Sequence, residues 1–359
     1  MMTDRERFQR LMNYQPVDWL PVIAVEPYEV EAIRRWQQEG LPESTDPVDF
    51  LGMSRLVEIP LSFHPIPAFA PVRVAEDDVY YVEQSDMGAL VRHRKDYPTL
   101  YYGHIDHPIK TRADWERYKL RFQAATPGRL PPDWPTAWLP RLRNSPDPVC
   151  LTLFPYFFRF GFYSMGMERF LSAFYEEPDL MHDIFAYIGE FVTAGVRAVL
   201  DVCVPDVVRF TEDLAGKNGP LVSPRIYQEF WHPYQDPLIR LLQERGVPLI
   251  CQWSAGNFER LIPDMLEHGF NCTWPLEVMS GMDAVRLRTR FGFQLRMAGN
   301  IAKEAVIAGP EAIDRALDRL MPLICDGGFL PALDDMASPD MPWAHYRYMI
   351  EKLQAIGLA

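Results

Sequence analysis

The stretch Pro205-Asp-Val-Val-Arg-Phe-Thr-Glu-Asp-Leu-Ala-Gly-Lys-Asn-Gly-Pro-Leu-Val-Ser-Pro224 decides the fold. Val207 to Phe210 are β-branched or aromatic with one interruption at Arg209, which predicts a short buried strand. Glu212 and Asp213 follow at its carboxyl end, then a loop containing Gly and Asn. Ser223 and Pro224 then form a pair suited to open a helix. An acidic pair at the carboxyl end of a buried strand is where α/β enzymes place their chemistry.

Outward from this strand the pattern is regular. Strands are predicted over 149–154, 248–252, 270–274, 293–298 and 328–332. Helices are predicted from Pro178, with Met181, Ile184, Phe185, Ile188, Phe191 and Val192 on one face, and near 224–245, 257–267, 282–290, 310–323 and 342–355. Two earlier candidates, Trp19 to Val25 and Leu56 to Ile59, bring the count to eight strands. Strands alternating with helices at this spacing predict an α/β fold, a (β/α)8 TIM barrel, as a single domain over residues 1–359. Thr3 with Glu6 forms a capping box for an opening helix that buries Phe8, Leu11 and Met12. Residues 72–97 alternate polar and apolar around turn residues and predict an antiparallel insertion. Residues 120–148, rich in Pro, Arg and Asp, read as a long surface connection. No GxGxxG or GxxxxGK[ST] follows any strand, which removes the common nucleotide-binding folds.

Composition narrows the function classes. The net charge of −13 disfavours nucleic acid and anionic membranes as partners. No run of apolar residues is long enough for a membrane span, and the charged N-terminus lacks a secretory signal, so the expected setting is cytoplasmic. The five cysteines, Cys150, Cys203, Cys251, Cys272 and Cys325, form no CxxC pair and read as reduced core residues. The histidines show no HExxH or HxH pairing. His93, His104 and His107 fall in the early insertion, His232 and His268 in predicted helices.

In a barrel the active site lies at the carboxyl ends of the strands. Those ends carry Tyr156 and Arg159, then Glu212 and Asp213, Trp253, Glu277, Asn300 and Lys303, and finally Asp334 and Asp335. Glu212, Asp213, Asp335 and Lys303 are the candidates for catalysis, as carboxylates sharing a cavity raise one another's pKa and suit acid–base work. Tyr156, Arg159, Trp253, Glu277 and Asn300 are the candidates for binding substrate. The same carboxylates suit a divalent metal held through oxygen, or plain salt bridges with Arg159, Arg296 or Lys303. The aromatic run from Phe154 to Tyr163 is either an apolar wall around an organic ligand or a structural cap.

These motifs resemble the uroporphyrinogen decarboxylase superfamily. The resemblance is carried by Glu212-Asp-Leu-Ala-Gly-Lys-Asn-Gly-Pro-Leu-Val-Ser-Pro224, by Trp274-Pro-Leu-Glu-Val278 with Gly281-Met-Asp283, and by Met297-Ala-Gly-Asn-Ile-Ala-Lys303. Gly327-Gly-Phe-Leu-Pro331, Pro339-Asp-Met-Pro342 and the N-terminal Tyr14-Gln-Pro-Val-Asp-Trp-Leu-Pro21 extend it over nearly the whole chain. It implies a barrel, often a homodimer, that decarboxylates a porphyrinogen or moves methyl groups to and from cobalamin or a thiol, cobalamin being held by a partner corrinoid protein. Two departures follow. The decarboxylases' Arg-Gln-Ala-Gly-Arg signature after the first strand is replaced here by Val25-Glu-Pro-Tyr28. The methyltransferases' zinc ligands correspond to Trp253, Ala255 and Asp335, so no zinc site is expected. The resulting expectation is a barrel enzyme acting on a small organic molecule, foremost by corrinoid-linked methyl transfer. Decarboxylation, or a non-catalytic binding subunit that lost the metal site, are the alternatives.

Overall fold

Two short parallel pieces near the N-terminus are where the regular pattern begins. In the computed structural model, which describes residues 2–98 and 102–358, these are β1 (Ile23–Ala24) and β2 (Ser54–Arg55). After β3 (Val57–Glu58) come β4 (Arg73–Glu76), β5 (Tyr80–Gln84), β6 (Leu90–Arg94) and β7 (Tyr102–Asp106). Then follow β8 (Val149–Leu153), β9 (Val207–Glu212) and the small pair β10 (Ala215–Gly216) and β11 (Gly219–Pro220). The last four are β12 (Leu249–Ser254), β13 (Cys272–Trp274), β14 (Arg296–Ile301) and β15 (Phe329–Leu333).

Seven strands form one parallel sheet in the order β15-β14-β13-β12-β9-β8-β3, and β1 pairs in parallel with β2. Only Leu56 separates β2 from β3, so the β1–β2 ladder continues the line of the sheet. The sheet curls until distant members meet: the Arg209 guanidinium on β9 donates to the Val25 carbonyl just past β1 at 3.2 Å. Strands such as β15, buried along its whole length, read as unbroken apolar runs because helices cover a parallel sheet.

The outline of α/β alternation matches the sequence pattern, with local differences. The first strand shrinks from Trp19–Val25 to Ile23–Ala24, as Pro21 lacks a ladder donor. The antiparallel insertion is present but runs beyond 72–97: β4, β5, β6 and β7 form a four-stranded sheet ending at Asp106. Residues 120–148 are not a bare connection, since helical turns at Trp134–Trp138 and Leu139–Arg143 bury Trp134 and Leu142. The aromatic run is mostly a helix, Phe157–Met165, with Phe157, Phe158 and Phe160 in the core.

The opening helix Asp4–Met12 carries the expected capping box and closes the amino-terminal end of the sheet. Asp206, just before β9, accepts from Val149 N at 2.7 Å and pairs with Arg5 at 2.9 Å. All five cysteines are free, four of them buried. No helix among the described residues is long and apolar enough to cross a membrane.

Gly256, just beyond β12, has φ +75°, and a Cβ there would press into the Ala215 backbone carbonyl. Its N–H donates to Glu277 Oε2 at 2.8 Å. Gly256→Ala is expected to lower unfolding free energy by about 2–4 kcal/mol, since neither backbone can yield cheaply. Urea denaturation followed by circular dichroism checks it; an unchanged midpoint would show that the loop after β12 moves freely.

Candidate active site

Strand parity sorts the polar residues. Along β9 and the residue after it, Val208, Phe210 and Glu212 are buried, whereas Arg209, Thr211 and Asp213 keep some exposure. The first set faces the covering helices and the second the concave side of the sheet. Asp213 therefore lies at the mouth, where Arg159 pairs with it at 2.8 Å. The same guanidinium donates to Tyr163 Oη at 3.1 Å and sits 5.3 Å from the Trp253 ring centre. Burial raises the Asp213 pKa against the opposing pull of Arg159.

Glu26, just past β1, is the hub. Trp253 Nε1 donates to its Oε1 at 2.6 Å. Burial pushes its carboxyl up to about 7; Arg209, the Trp253 hydrogen bond and Arg159 pull the other way, while Asp335 adds to the rise. Below it, Arg209 pairs with Glu58 at 3.0 Å and donates to Thr152 Oγ1 at 3.2 and 3.0 Å. Thr152 in turn donates to Glu58 at 2.9 Å. Across the mouth, Lys303 Nζ reaches Asp335 Oδ2 at 2.6 Å.

The structure thus brings Asp213, Arg159, Trp253, Asp335 and Lys303 to one face and places the other candidates elsewhere. Tyr156 is fully buried, stacked on Phe157 with centroids 4.2 Å apart. Glu277 braces the Gly256 loop. Asn300, fully buried, accepts from Ala284 N at 3.1 Å and donates to Leu276 O and Met282 O at 2.9 and 3.0 Å. It joins the loop after β13 to its neighbours and has no group left for a ligand. Asp334 does similar work, accepting from Val278 N at 2.8 Å and Lys303 N at 2.9 Å, with burial pushing it up to about 6.

Glu212 is the main relocation. It points behind the sheet, where its Oε2 accepts from Phe158 N at 2.6 Å and Arg159 N at 3.3 Å, and its Oε1 from Trp231 Nε1 at 3.0 Å. It is completely buried, and burial pushes its pKa up to about 8 in spite of three donors. It holds the first turn of helix Phe157–Met165, and so the backbone of Arg159, against β9.

A family model described as uroporphyrinogen decarboxylase (URO-D) matches residues 152–356, more than half of the chain. The chain belongs to the uroporphyrinogen decarboxylase family. A solved methyltransferase from Methanosarcina mazei is similar in fold, with a TM-score of 0.61 and 16% identity over 98% of each chain. No curated protein matches the sequence. The matched span of the family model begins inside β8 and includes β9, β12, β13, β14 and β15, with their ends Asp213, Trp253 and Asp335. Glu26 and Glu58 lie outside it.

The zinc known from methyltransferase relatives by resemblance does not fit these residues. Trp253 and Ala255 offer no ligand atom, and no three His, Cys, Asp or Glu side chains among the described residues are grouped to hold a metal. The residues that sequence reasoning passed over are Glu26, Glu58 and Arg209. Arg209 carried a readable signal, a single charge inside a buried apolar strand, which fixes the inward parity and with it the separation of Asp213 from Glu212.

Glu212, Glu26 and Asp334 are all raised above their unfolded values, so the native state binds more protons than the unfolded chain between about pH 4.5 and 8. Their contribution is therefore greatest below that window and declines as pH rises through it. Unfolding free energy is expected to fall from pH 5.5 to pH 8, and Glu212→Gln to make the fall shallower. Glu212→Ala, which strands three buried donors, should cost about 3 kcal/mol or more. Denaturant melts at both pH values check this; a wild-type slope equal to that of Glu212→Gln would contradict it.

Proposed function

We propose that the chain is a methyl-transferring enzyme of the corrinoid-linked type acting on a small organic molecule, in a closed (β/α)8 barrel whose first strand is β1. The observation that carries this reading is the charge balance of the mouth. Arg159, Arg209 and Lys303 are each paired within the chain, to Asp213, Glu58 and Asp335. None of these cations is left over for the carboxylates of a porphyrinogen, which disfavours decarboxylation. What remains is a surplus carboxyl, Glu26, tuned near neutrality.

A corrinoid carried by a partner protein would supply or take up the methyl group. The chain's own residues bind and orient the organic molecule and manage its proton. When an acceptor R–XH is methylated, the X–H bond breaks and the proton passes to Glu26 Oε2, while X forms its bond to the methyl carbon as the bond from that carbon to the methyl donor breaks, its electron pair staying with the donor. In the reverse direction the protonated Glu26 returns that proton to X. Trp253 holds the other carboxyl oxygen and so fixes the direction of transfer. Arg159 and Asp213 form the adjacent polar wall, with Trp253 as its aromatic floor.

Methylcobalamin mixed with the protein and a panel of small alcohols, thiols and amines tests the reading through the visible spectrum of the corrinoid. At least one acceptor is expected to be methylated, with a rate that climbs as pH rises through about 7, where Glu26 ionises. Glu26→Gln should lower that rate by about 100-fold or more and remove the pH limb. Carbon dioxide release from carboxylate probes would assign decarboxylation instead, and inertness toward every probe would favour a binding subunit.

A further inference from the structure

The antiparallel insertion starts after β3, at the carboxyl end of a parallel strand, and so stands on the same face as the mouth. It folds against the residues that flank Arg159. The His64 and Phe154 rings lie 5.7 Å apart, His104 lies 5.3 Å from Tyr163, and His107 Nδ1 bonds the Tyr163 carbonyl at 3.0 Å. Between the inner face of the insertion and Tyr163 runs a groove of about 430 Å³, lined by Glu83, Asp86, His93, Tyr102, His104 and Tyr163 among others. This volume is in the range of small-molecule sites. One of its walls, Tyr163, is the residue whose hydroxyl accepts from Arg159, so the groove adjoins the mouth.

The groove has a consistent chemistry. Its flat walls are aromatic: His93 and Tyr102 stack at 6.1 Å with His104 and Tyr163 beside them, and Tyr102 is 52% exposed. Among the described residues that line it, the formal negative charges are Glu83 and Asp86, and there is no lysine or arginine. Arg73, across from Glu83 on β4, pairs instead with Glu76 and lies over the Tyr81 ring. Of the imidazoles, His64 is bonded to Asp86 at 2.7 Å, His93 approaches Glu83 at 3.7 Å, and burial holds His104 down at about 4 and therefore neutral. Carboxylates beside exposed aromatic faces favour an organic cation, through charge pairing at one end and cation–π or stacking contact along the other.

We propose that this groove is a substrate subsite for a protonated amine carried on an aromatic or similarly flat body, with the ammonium set between Glu83 and Asp86. The flat body lies on Tyr102 and Tyr163, and the end to be methylated or demethylated points past Arg159 toward Glu26. This substrate class rests on the methyl-transfer reading for its reacting end only; binding in the groove does not depend on it.

Three probes of the same shape and different charge test it: benzylamine, benzyl alcohol and benzoate, titrated by calorimetry at pH 8. Benzylamine is expected to bind at least about tenfold tighter than benzyl alcohol, and benzoate weakest of the three. Glu83→Gln with Asp86→Asn should erase the preference for the amine, and Tyr102→Ala should weaken all three. Glu26→Gln should leave benzylamine binding unchanged while lowering methyl transfer to the reactive acceptors by about 100-fold or more, which separates the subsite from the reaction. Equal affinities, tighter benzoate, no binding at millimolar probe, or a preference that survives the double substitution would each overturn the subsite. If benzylamine binds as expected while methylcobalamin methylates none of the alcohols, thiols and amines of the acceptor panel, the subsite stands and the methyl-transfer reading falls.

Discussion

Taking the Glu212 carboxyl out of water is the constraint on which the mouth depends. A buried carboxyl is tolerated only when its oxygens are occupied, and here three N–H donors occupy them. Two of those donors are the backbone N–H groups of Phe158 and Arg159, in the first turn of a helix, where unpartnered N–H groups and the helix dipole favour an acceptor. The bond therefore ties that turn to β9 and sets the level at which the Arg159 side chain emerges. Asp213, one residue further along β9, emerges on the opposite face at the same level and meets it. An interaction hidden behind the sheet thereby registers an ion pair in front of it.

In front, the electrostatics follow from pairing within a confined space. Three cations face four carboxylates, and each cation has taken a partner. The carboxyl without a cation of its own is Glu26, and its pKa of about 7 is the outcome of burial working against two nearby guanidinium groups. A mouth of this kind has little attraction for a multiply charged anion. The proposed methyl transfer assigns that carboxyl the proton to be exchanged, and the proposed subsite beside the insertion adds two further carboxylates, Glu83 and Asp86.

Much of this architecture was legible in the sequence, because buried parallel strands are apolar throughout and their spacing is regular. The strands of the seven-stranded parallel sheet could be placed on that basis, as could the antiparallel insertion up to its last strand, whereas the first strand came out much shorter than its apolar run. Facing was harder to read. Glu212 and Asp213 are neighbours in sequence and look like a pair, yet the period of two in a strand sends them to opposite sides. Tyr156 and Asn300 also sit at strand ends, but local hydrogen bonding and packing draw them inward. Glu26 was obscured because its strand is only two residues long and flanked by prolines, so its position at a strand end left little pattern.

The two departures from the family's patterns meet in one contact, between Glu26 and Trp253. Where the decarboxylases by resemblance carry their arginine signature after the first strand, this chain has Val25-Glu-Pro-Tyr28, with Glu26 in it. Where methyltransferases carry a zinc ligand after the strand equivalent to β12, it has Trp253. An indole N–H that is largely removed from water requires an acceptor, and Glu26 provides it at 2.6 Å. An arginine at residue 26 would set a second donor against that N–H, and a histidine at residue 253 would remove the volume that encloses the carboxyl. Each replacement makes the other workable. A carboxyl beside an indole donor, with guanidinium groups nearby but none bonded to it, acquires the near-neutral pKa on which the proposed proton exchange depends.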